Sequence, residues 1–335
     1  MVPANSGQAK IILSECCSWI RLSFKQENHF YWRSVMFFKT FLQDLPGKPE
    51  YKYIRYRDVN PLGGTTKIRN IGMPNEAMKI IQLRLLKFVR NLPVTLHHAM
   101  AFRNGCSAVN NVMIHRKRRY FYIFDIFNAY RHVDLQKLAK IICELDPELS
   151  GQEEDVYEFL FQYCQDPSGG LVIGANASQD LFNLYAGILI DVPLALLCKQ
   201  YSLTYTRYSD DLIFSAKKVP IGWRKRKAIR QVVIDAGFKI QHRKAQVLDL
   251  IKGPAVINGI GIHRNGDLYV PRHYLTRLRG LIHRAKKEPE LAFVAHGMMG
   301  IFWSFTKKSS LNQTEKKVVK EYRDLQKMLK RIKTH

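Results

Sequence analysis

The stretch Tyr208-Ser209-Asp210-Asp211 decides how the rest of this 335-residue chain is interpreted. It lies between the runs 202–208 and 212–215, whose aromatic and β-branched residues are typical of the two strands of a hairpin. The two carboxylates would then project from the tight turn of that hairpin. Adjacent acids on a rigid turn repel each other unless a cation neutralises them. The pair therefore predicts a divalent metal with oxygen ligands, most simply Mg²⁺.

A metal site of this kind needs a third carboxylate, and Asp125 is the best candidate. It interrupts the apolar run Tyr120-Phe121-Tyr122-Ile123-Phe124-Asp125-Ile126-Phe127, which is typical of a buried central strand. An unpaired acid in such a strand is unfavourable, which indicates an ion or a basic partner. Two metal ions about 3.5–4 Å apart are how polymerases stabilise the attacking and leaving oxygens of phosphoryl transfer. Taken singly, Asp125 also fits a residue that ends a strand, and Asp210-Asp211 a solvated turn.

Seven sequence blocks in a fixed order give the chain a resemblance to the reverse transcriptases. Lys67-Ile68-Arg69-Asn70-Ile71-Gly72-Met73-Pro74 resembles the fingers block of that family. Asp125-Ile126-Phe127-Asn128-Ala129-Tyr130 and Tyr208-Ser209-Asp210-Asp211 are similar to its two catalytic blocks. The remaining blocks are 101–107, 174–183, 237–240 with Lys244, and 258–261. The resemblance implies an α+β fold of the right-hand polymerase type, with fingers, a palm built on an antiparallel sheet, and a helical thumb.

The resemblance also implies a two-metal active site with three catalytic acids. Asp125 and Asp210 would hold two Mg²⁺ ions, for which Mn²⁺ is a possible substitute. The carbonyl oxygen of Ile126 would add a further metal ligand. Asp211 would complete the ligand set and support the site.

The residues that bind the incoming nucleotide follow from the same resemblance. Lys67 and Arg69 lie two apart on a predicted strand, so their side chains would point the same way and clamp the triphosphate. Tyr130 stands at the steric gate, where a bulky ring excludes a 2′-OH and so selects deoxynucleoside triphosphates. The other expected substrate contacts are Ile126, Ala129, Gly174 and Lys244.

The charge of the chain agrees with a nucleic-acid partner. Its 53 Lys and Arg against 28 Asp and Glu give a net charge of +25, and clustered positive charge is typical of nucleic-acid binding. Basic clusters occur at 115–119, at 224–227 and in the tail from Lys307. The run at 224–227 is more typical of a solvated helix end. The tail would contact the nucleic-acid backbone as part of a thumb helix.

Cysteine usage and hydropathy predict a reduced, cytoplasmic protein that does not enter a membrane. The six cysteines form no C-x-x-C pattern, so neither a zinc site nor a disulfide framework is indicated. The N-terminus has no secretory signal pattern, and we expect no apolar run of membrane-spanning length.

The blocks divide the chain into four parts. These are an N-terminal helical lead-in (1–50), fingers (51–120), a palm with residual fingers elements (121–270) and an α-helical thumb (271–335). Helices are expected at 11–24, 30–41, 75–89, 135–145, 178–201, 274–285, 291–305 and 315–332, with a turn at 62–64 before Lys67.

Three details bear on the branch of the family. Asn111-Val112-Met113-Ile114-His115 and Ile257-Asn258-Gly259 lie near two elements of the retron enzymes. Ile173, however, stands where retroviral, intron and retron enzymes usually carry glutamine. An aliphatic residue there resembles the diversity-generating enzymes and bacterial defence groups. Loss of the glutamine would remove a contact with the nucleotide sugar and the template, which bears on fidelity and template dependence.

The sequence therefore predicts a bacterial RNA-directed DNA polymerase of the retron or defence-associated kind. It would copy a cognate non-coding RNA into DNA, in antiphage defence, with a possible effector or accessory protein. Three alternatives stay open: a diversity-generating reverse transcriptase, a template-independent protein-primed polymerase of the abortive-infection type, and a non-enzymatic RNA-binding scaffold. The scaffold has no need for acids, gate and triphosphate clamp together.

Overall fold

The computed structural model describes residues 40–58, 67–306 and 311–333. The helices predicted at 11–24 and 30–41, apart from residues 40 and 41, and the turn predicted at 62–64 lie outside the described residues. The strands are β1 (Tyr51–Asp58), β2 (Lys67–Pro74), β3 (Tyr120–Phe127), β4 (Thr204–Tyr208), β5 (Asp211–Ala216), β6 (Lys239–Asp249), β7 (Ala255–Ile257), β8 (Ile260–Ile262) and β9 (Leu268–Tyr269). The α-helices are α1 (Glu76–Asn91), α2 (Ala108–His115), α3 (Leu135–Leu145), α4 (Glu153–Cys164), α5 (Ser178–Ala186), α6 (Val192–Tyr201), α7 (Trp223–Asp235), α8 (Arg272–Ala285), α9 (Leu291–Phe305) and α10 (Gln313–Lys333).

A four-stranded antiparallel sheet in the order β4-β5-β3-β6 positions the acids. Tyr122 and Phe124 of β3 enter the large core on one face of this sheet, whereas Phe121 and Ile123 enter a smaller core on the other. Because successive side chains of a strand point to opposite faces, Asp125 lies on the face of the smaller core. The register pairs it with Asp211 of β5, which places two acids side by side.

Helices cover one face of the sheet, and a small sheet with one helix covers the other. The large core is built from β3 to β5 with α1, α3, α4, α5, α6 and α7. The smaller core joins Val112 of α2 to the three-stranded sheet β7-β8-β9. Asn75, the first residue of the helix predicted at 75–89, caps α1, because its side chain accepts a hydrogen bond from the N–H of Met78.

The helical stretch Ser178–Tyr201 differs from the sequence-based expectation in two ways. A π-helical turn, Gly187–Asp191, separates α5 from α6. The stretch is also long and apolar enough, by length and composition, to cross a membrane, so the expectation that no run reaches that length is wrong. Its most apolar window is 61% buried inside the fold. The helix is apolar because neighbouring helices and the sheet surround it, which is typical of a core helix.

The fingers hairpin β1-β2 packs against the loop before α5. The N–H of Gly72 in β2 donates to the carbonyl oxygen of Ile173 at 2.9 Å. Gly174 has a φ of +106°, and a Cβ at this position would lie 2.6 Å from Ile71 Cγ2 and 2.8 Å from the carbonyl oxygen of Gly72. Only glycine both adopts this φ and leaves room for the hairpin.

The three C-terminal helices share a core of their own. α8 packs against both α9 and α10, and Leu278, Ala295, Phe302 and Val318 are fully buried among them. These helices lie within the range expected for the thumb. The structure does not describe residues 307–310 and the side chains from 331 onward.

Candidate active site

The turn that carries the acid pair is held from two sides. Ser209 and Asp210 form a two-residue turn between β4 and β5, and Ser209 adopts the left-handed region with φ 58°. The N–H of Ile126 donates to the carbonyl oxygen of Asp210 at 2.9 Å. On the other side, Arg207 Nη1 donates to the carbonyl oxygen of Ser209 at 3.1 Å. The turn is therefore fixed to both β3 and β4.

Arg207 is a part of the site that the sequence did not reveal. Its side chain is fully buried, and its Nε and Nη2 donate to the two carboxylate oxygens of Asp191 at 2.9 and 2.8 Å. Nη1 also donates to Asn183 Oδ1 at 2.9 Å. Asp191 comes from the π-helical turn. The planar guanidinium matches this bidentate geometry, so one buried side chain joins the helical layer to the acid turn.

Asp125, Asp210 and Asp211 meet at the junction of β3 with this turn. Burial and the charge of Asp125 raise the pKa of Asp210. Burial, a hydrogen bond with Asp125 and the charges of both neighbours raise the pKa of Asp211 to about 8. Lys244 of β6 forms an ion pair with Asp125 Oδ2, and this contact raises the pKa of Lys244 even though burial lowers it. The three acids are thus close enough to repel one another.

The donor set fits a hard divalent cation. The three carboxylates supply only oxygen, which Mg²⁺ prefers. Among the residues that the structure describes, no group of three metal-ligating side chains is drawn together closely enough to hold an ion. The Lys244 ammonium provides a positive charge at Asp125. A cation bound between these carboxylates would offset their mutual repulsion.

Tyr130, expected at the steric gate, packs beside the acid turn. Its ring stacks on Phe182 with centroids 5.0 Å apart. Phe182 in turn lies under the guanidinium of Arg207, 5.4 Å from its ring centroid. The Tyr130 hydroxyl interacts with the side chain of Ser209, and burial raises its pKa to about 12. The phenol is therefore neutral, and stacking on Phe182 fixes the orientation of its ring.

The other expected substrate residues lie in three places. Arg69 on β2 is near enough to Asp210 for its positive charge to offset part of the rise in the pKa of that acid, whereas the side chain of Lys67 lies outside the described residues. Ala129 is buried at the start of a 3₁₀ turn directly after β3. Gly174 lies where the fingers hairpin meets the loop before α5, and Lys244 contacts Asp125.

Sequence comparison connects the chain to retron enzymes. The chain matches the family described as "Reverse transcriptase (RNA-dependent DNA polymerase)" over residues 48–254. It is 28% identical over 244 residues to the retron Mx65 reverse transcriptase of Myxococcus xanthus, covering 68% of this chain and 56% of that protein. It is 25% identical over 161 residues to the retron Ec83 reverse transcriptase of Escherichia coli, covering 46% and 50%. The chain thus spans about half the length of the curated relatives it matches.

Similar solved structures include two telomerases. Apo telomerase from Candida tropicalis, truncated from its C-terminal domain, gives a TM-score of 0.44 at 13% identity and covers 66% of this chain and 54% of that one. Telomerase from Candida albicans with a TWJ fragment of telomeric RNA gives 0.45 at 11% identity and covers 94% and 63%. The family match extends over more than half of the chain, and the α+β fold is that of a right-hand polymerase. The chain therefore belongs to the reverse transcriptase family.

Proposed function

We propose that this chain is an RNA-directed DNA polymerase, a nucleotidyltransferase that copies a cognate non-coding RNA into DNA. The observation that carries the proposal is the meeting of Asp125, Asp210 and Asp211 at one end of the palm sheet. A binding module would gain nothing from three half-buried acids that repel one another. The family match over 48–254 supports the same activity.

The proposed metal centre holds two Mg²⁺ ions, with Mn²⁺ as a substitute. Asp125, Asp210, Asp211 and the Ile126 carbonyl would be its ligands. When bound, the metals supply charge stabilisation to the attacking and leaving oxygens of phosphoryl transfer. The protein holds the Asp210 turn in place through the N–H of Ile126 and the guanidinium of Arg207.

The surrounding side chains bind and select the nucleotide. The charge of Arg69 on the fingers hairpin acts on Asp210, and a guanidinium can donate two hydrogen bonds to phosphate; we propose that Arg69 and Lys67 bind the triphosphate together. Tyr130 excludes a 2′-OH by bulk, and its stacking on Phe182 holds the ring in position. Lys244 supplies positive charge beside Asp125. Gly174 and Ala129 complete the substrate contacts.

The proposed partners are nucleic acids, and the proposed setting is a bacterial retron or a related antiphage defence system. The net charge of +25 supports contact with an RNA template and a DNA product. The named relatives are retron reverse transcriptases, which supports a retron setting for this chain. We propose that it acts in the cytoplasm with an effector or accessory protein. Ile173 favours a diversity-generating or protein-primed enzyme as the second candidate.

DNA synthesis by the purified full chain on its co-purifying RNA tests the proposal. Asp210→Asn and Asp125→Asn should abolish synthesis with Mg²⁺ or Mn²⁺ while leaving RNA binding nearly intact, because acids hold metal and basic residues hold phosphate. Asp235→Asn, an exposed acid at the end of α7, is the matched control and should change neither. Polymerisation by a folded Asp210→Asn variant would overturn the proposal. A product that stays attached to protein would instead favour protein priming.

A further inference from the structure

A line of polar side chains leads from Asp211 into the protein, and the proposed mechanism leaves it without a role. Asn258 Nδ2 donates to Asp211 Oδ2 at 3.1 Å. Asn111 Nδ2 donates to Asn258 Oδ1 at 2.7 Å. The hydroxyl of Thr206 donates to Asn111 Oδ1. Three elements thus contribute: the β7–β8 turn, α2 and β4.

The line continues through His115 to β5. His115 Nε2 lies 2.8 Å from Thr206 Oγ1, and His115 Nδ1 lies 2.7 Å from Ser215 Oγ. His115 and Ser215 are fully buried, and Thr206 nearly so. Burial lowers the pKa of His115 to about 3, so the ring is neutral and one of its nitrogens accepts. Each buried polar group in the line is therefore paired.

The direction of every hydrogen bond follows from the carboxylate at the end. A carboxylate oxygen accepts, so Asn258 must turn its Nδ2 toward Asp211 and its Oδ1 toward Asn111. Asn111 must then present Nδ2 to Asn258 and Oδ1 to Thr206, whose single proton is used there. Neutral His115 must donate from Nε2 to Thr206. All donors point toward Asp211, an arrangement in which successive hydrogen bonds polarise one another.

Two features of the backbone place the asparagines. Asn111 and His115 are four residues apart on α2, so they share its buried face. Asn258 and Gly259 form the two-residue turn between β7 and β8, with φ of 48° and 78°, the signature of a type I′ hairpin turn. Asparagine suits this turn by itself. Its amide contact with Asp211 is a second, separable property.

We propose that Asn258 is a positioning residue that holds the carboxylate of Asp211 in the orientation needed for metal binding, and that Asn111 acts through Asn258. This inference rests on the proposed function, because it assigns a task to a carboxylate of the metal centre. Side chains that orient a metal ligand commonly change metal affinity or activity by about 10–100-fold when they are removed.

Asn258→Gly is the deciding variant, because glycine adopts the positive φ of this turn and removes the amide together with its Cβ. Mn²⁺ binding to the full chain, followed by the electron paramagnetic resonance signal of free Mn²⁺, should weaken by about 10–100-fold. The Mg²⁺ concentration for half-maximal DNA synthesis should rise, while the KM for deoxynucleotides stays within about twofold. A merely structural turn residue would move none of these quantities. Unchanged Mn²⁺ affinity in a variant with the wild-type melting temperature would overturn the proposal.

Asn265→Gly is a closely matched control. Asn265 also precedes a glycine in a turn of the same three-stranded sheet, and its Nδ2 donates to Asp267 Oδ2 at 2.6 Å. This variant should bind Mn²⁺ like the wild type. If Asn258→Gly and Asn265→Gly weaken Mn²⁺ binding equally, the effect is one of folding and the proposal fails.

A double variant tests whether Asn111 acts through Asn258. Asn111→Ala should weaken Mn²⁺ binding, and combining it with Asn258→Gly should weaken binding no further than Asn258→Gly alone. Additive losses would overturn the role of Asn111. Asp210→Asn separates this inference from the proposed function. If Asp210→Asn leaves Mn²⁺ binding and DNA synthesis intact, the proposed function is wrong. If Asp210→Asn abolishes both but Asn258→Gly leaves Mn²⁺ binding unchanged, only the positioning role of Asn258 is wrong.

Discussion

Replacement of Arg207 should separate the stability of the fold from the position of the acid turn. Arg207→Met fills much of the same space but leaves the carboxylate of Asp191 buried without its cation, since both of its oxygens accept from this guanidinium. Breaking one partner of a buried ion pair costs about 3–5 kcal/mol of the free energy of unfolding. A domain is stable by only about 5–15 kcal/mol. The variant should therefore still fold but unfold at a clearly lower urea concentration.

The double variant Arg207→Met/Asp191→Asn tests whether the uncompensated charge causes this loss. The amide introduced at position 191 is neutral, and its oxygen can still accept from the Tyr205 hydroxyl, which contacts Asp191 Oδ1 at 2.7 Å. We expect this variant to recover more than half of the lost stability. It cannot restore the hydrogen bond to the Ser209 carbonyl oxygen. A hydrogen bond from a charged group contributes about 1.5–3 kcal/mol, so DNA synthesis should remain at least about tenfold reduced.

Urea unfolding and primer extension on one RNA template, at equal concentrations of folded protein, measure the two effects separately. Arg279→Met is the control, because its ion pair with Glu321 is partly exposed and solvent screens it. This variant should change the unfolding midpoint far less. The reasoning is refuted if Arg207→Met is as stable as Arg279→Met. It is also refuted if the double variant regains full DNA synthesis while the Ser209 carbonyl has lost its donor.

Three other substitutions probe the gate, the template contact and a buried base. Tyr130→Ala should relax the preference for deoxynucleoside over ribonucleoside triphosphates, because the ring is proposed to exclude the 2′-OH by bulk; unchanged sugar discrimination in an active variant would show that Tyr130 only packs on Phe182. Ile173→Gln should lower the error rate, because an amide that bonds a correctly placed sugar and template rejects misplaced ones. Sequencing of products from one RNA template tests this, and equal error spectra at comparable activity would contradict it. Burial lowers the pKa of His115 from 6.5 to about 3, so the unfolded chain binds a proton first and stability is lost as the pH falls below about 6.5. At pH 5 this amounts to about 2 kcal/mol relative to neutral pH; urea unfolding of His115→Gln should show a flatter pH dependence, and identical pH dependence in both proteins would count against the assignment.

Local patterns in the sequence predict much of the fold. The aromatic run around Asp125 predicted a central strand, and β3 is one. The helices at Leu135–Leu145 and Leu291–Phe305 begin and end where their spacing indicated, because amphipathic periodicity and capping are short-range signals. Charge alone favoured nucleic acid as a partner without placing any residue at a site.

The contacts that hold the site are not local, and the sequence could not reveal them. Asn111 and Asn258 are 147 residues apart, and their meeting depends on how α2 and the β7–β8 turn pack on the palm sheet. One feature of the sequence pointed to Arg207: it is a charged residue within a predicted strand whose other residues are mostly aromatic or β-branched. Its partner Asp191 lies in a π-helical turn, which interrupts a helix that the apolar pattern predicted to be continuous.

The acids must be held against their own repulsion, and separate parts of the chain do this. Burial and neighbouring charge raise the pKa of Asp210 and Asp211, so the charged form of each carboxylate is disfavoured here. Arg207 fixes the turn from the helical side, and the N–H of Ile126 fixes it from β3. Asn258 contacts Asp211 from the face of the sheet that carries the smaller core. Because these contacts come from different elements, the acids are placed before substrate binds, and a site arranged in advance needs no reorganisation during the reaction.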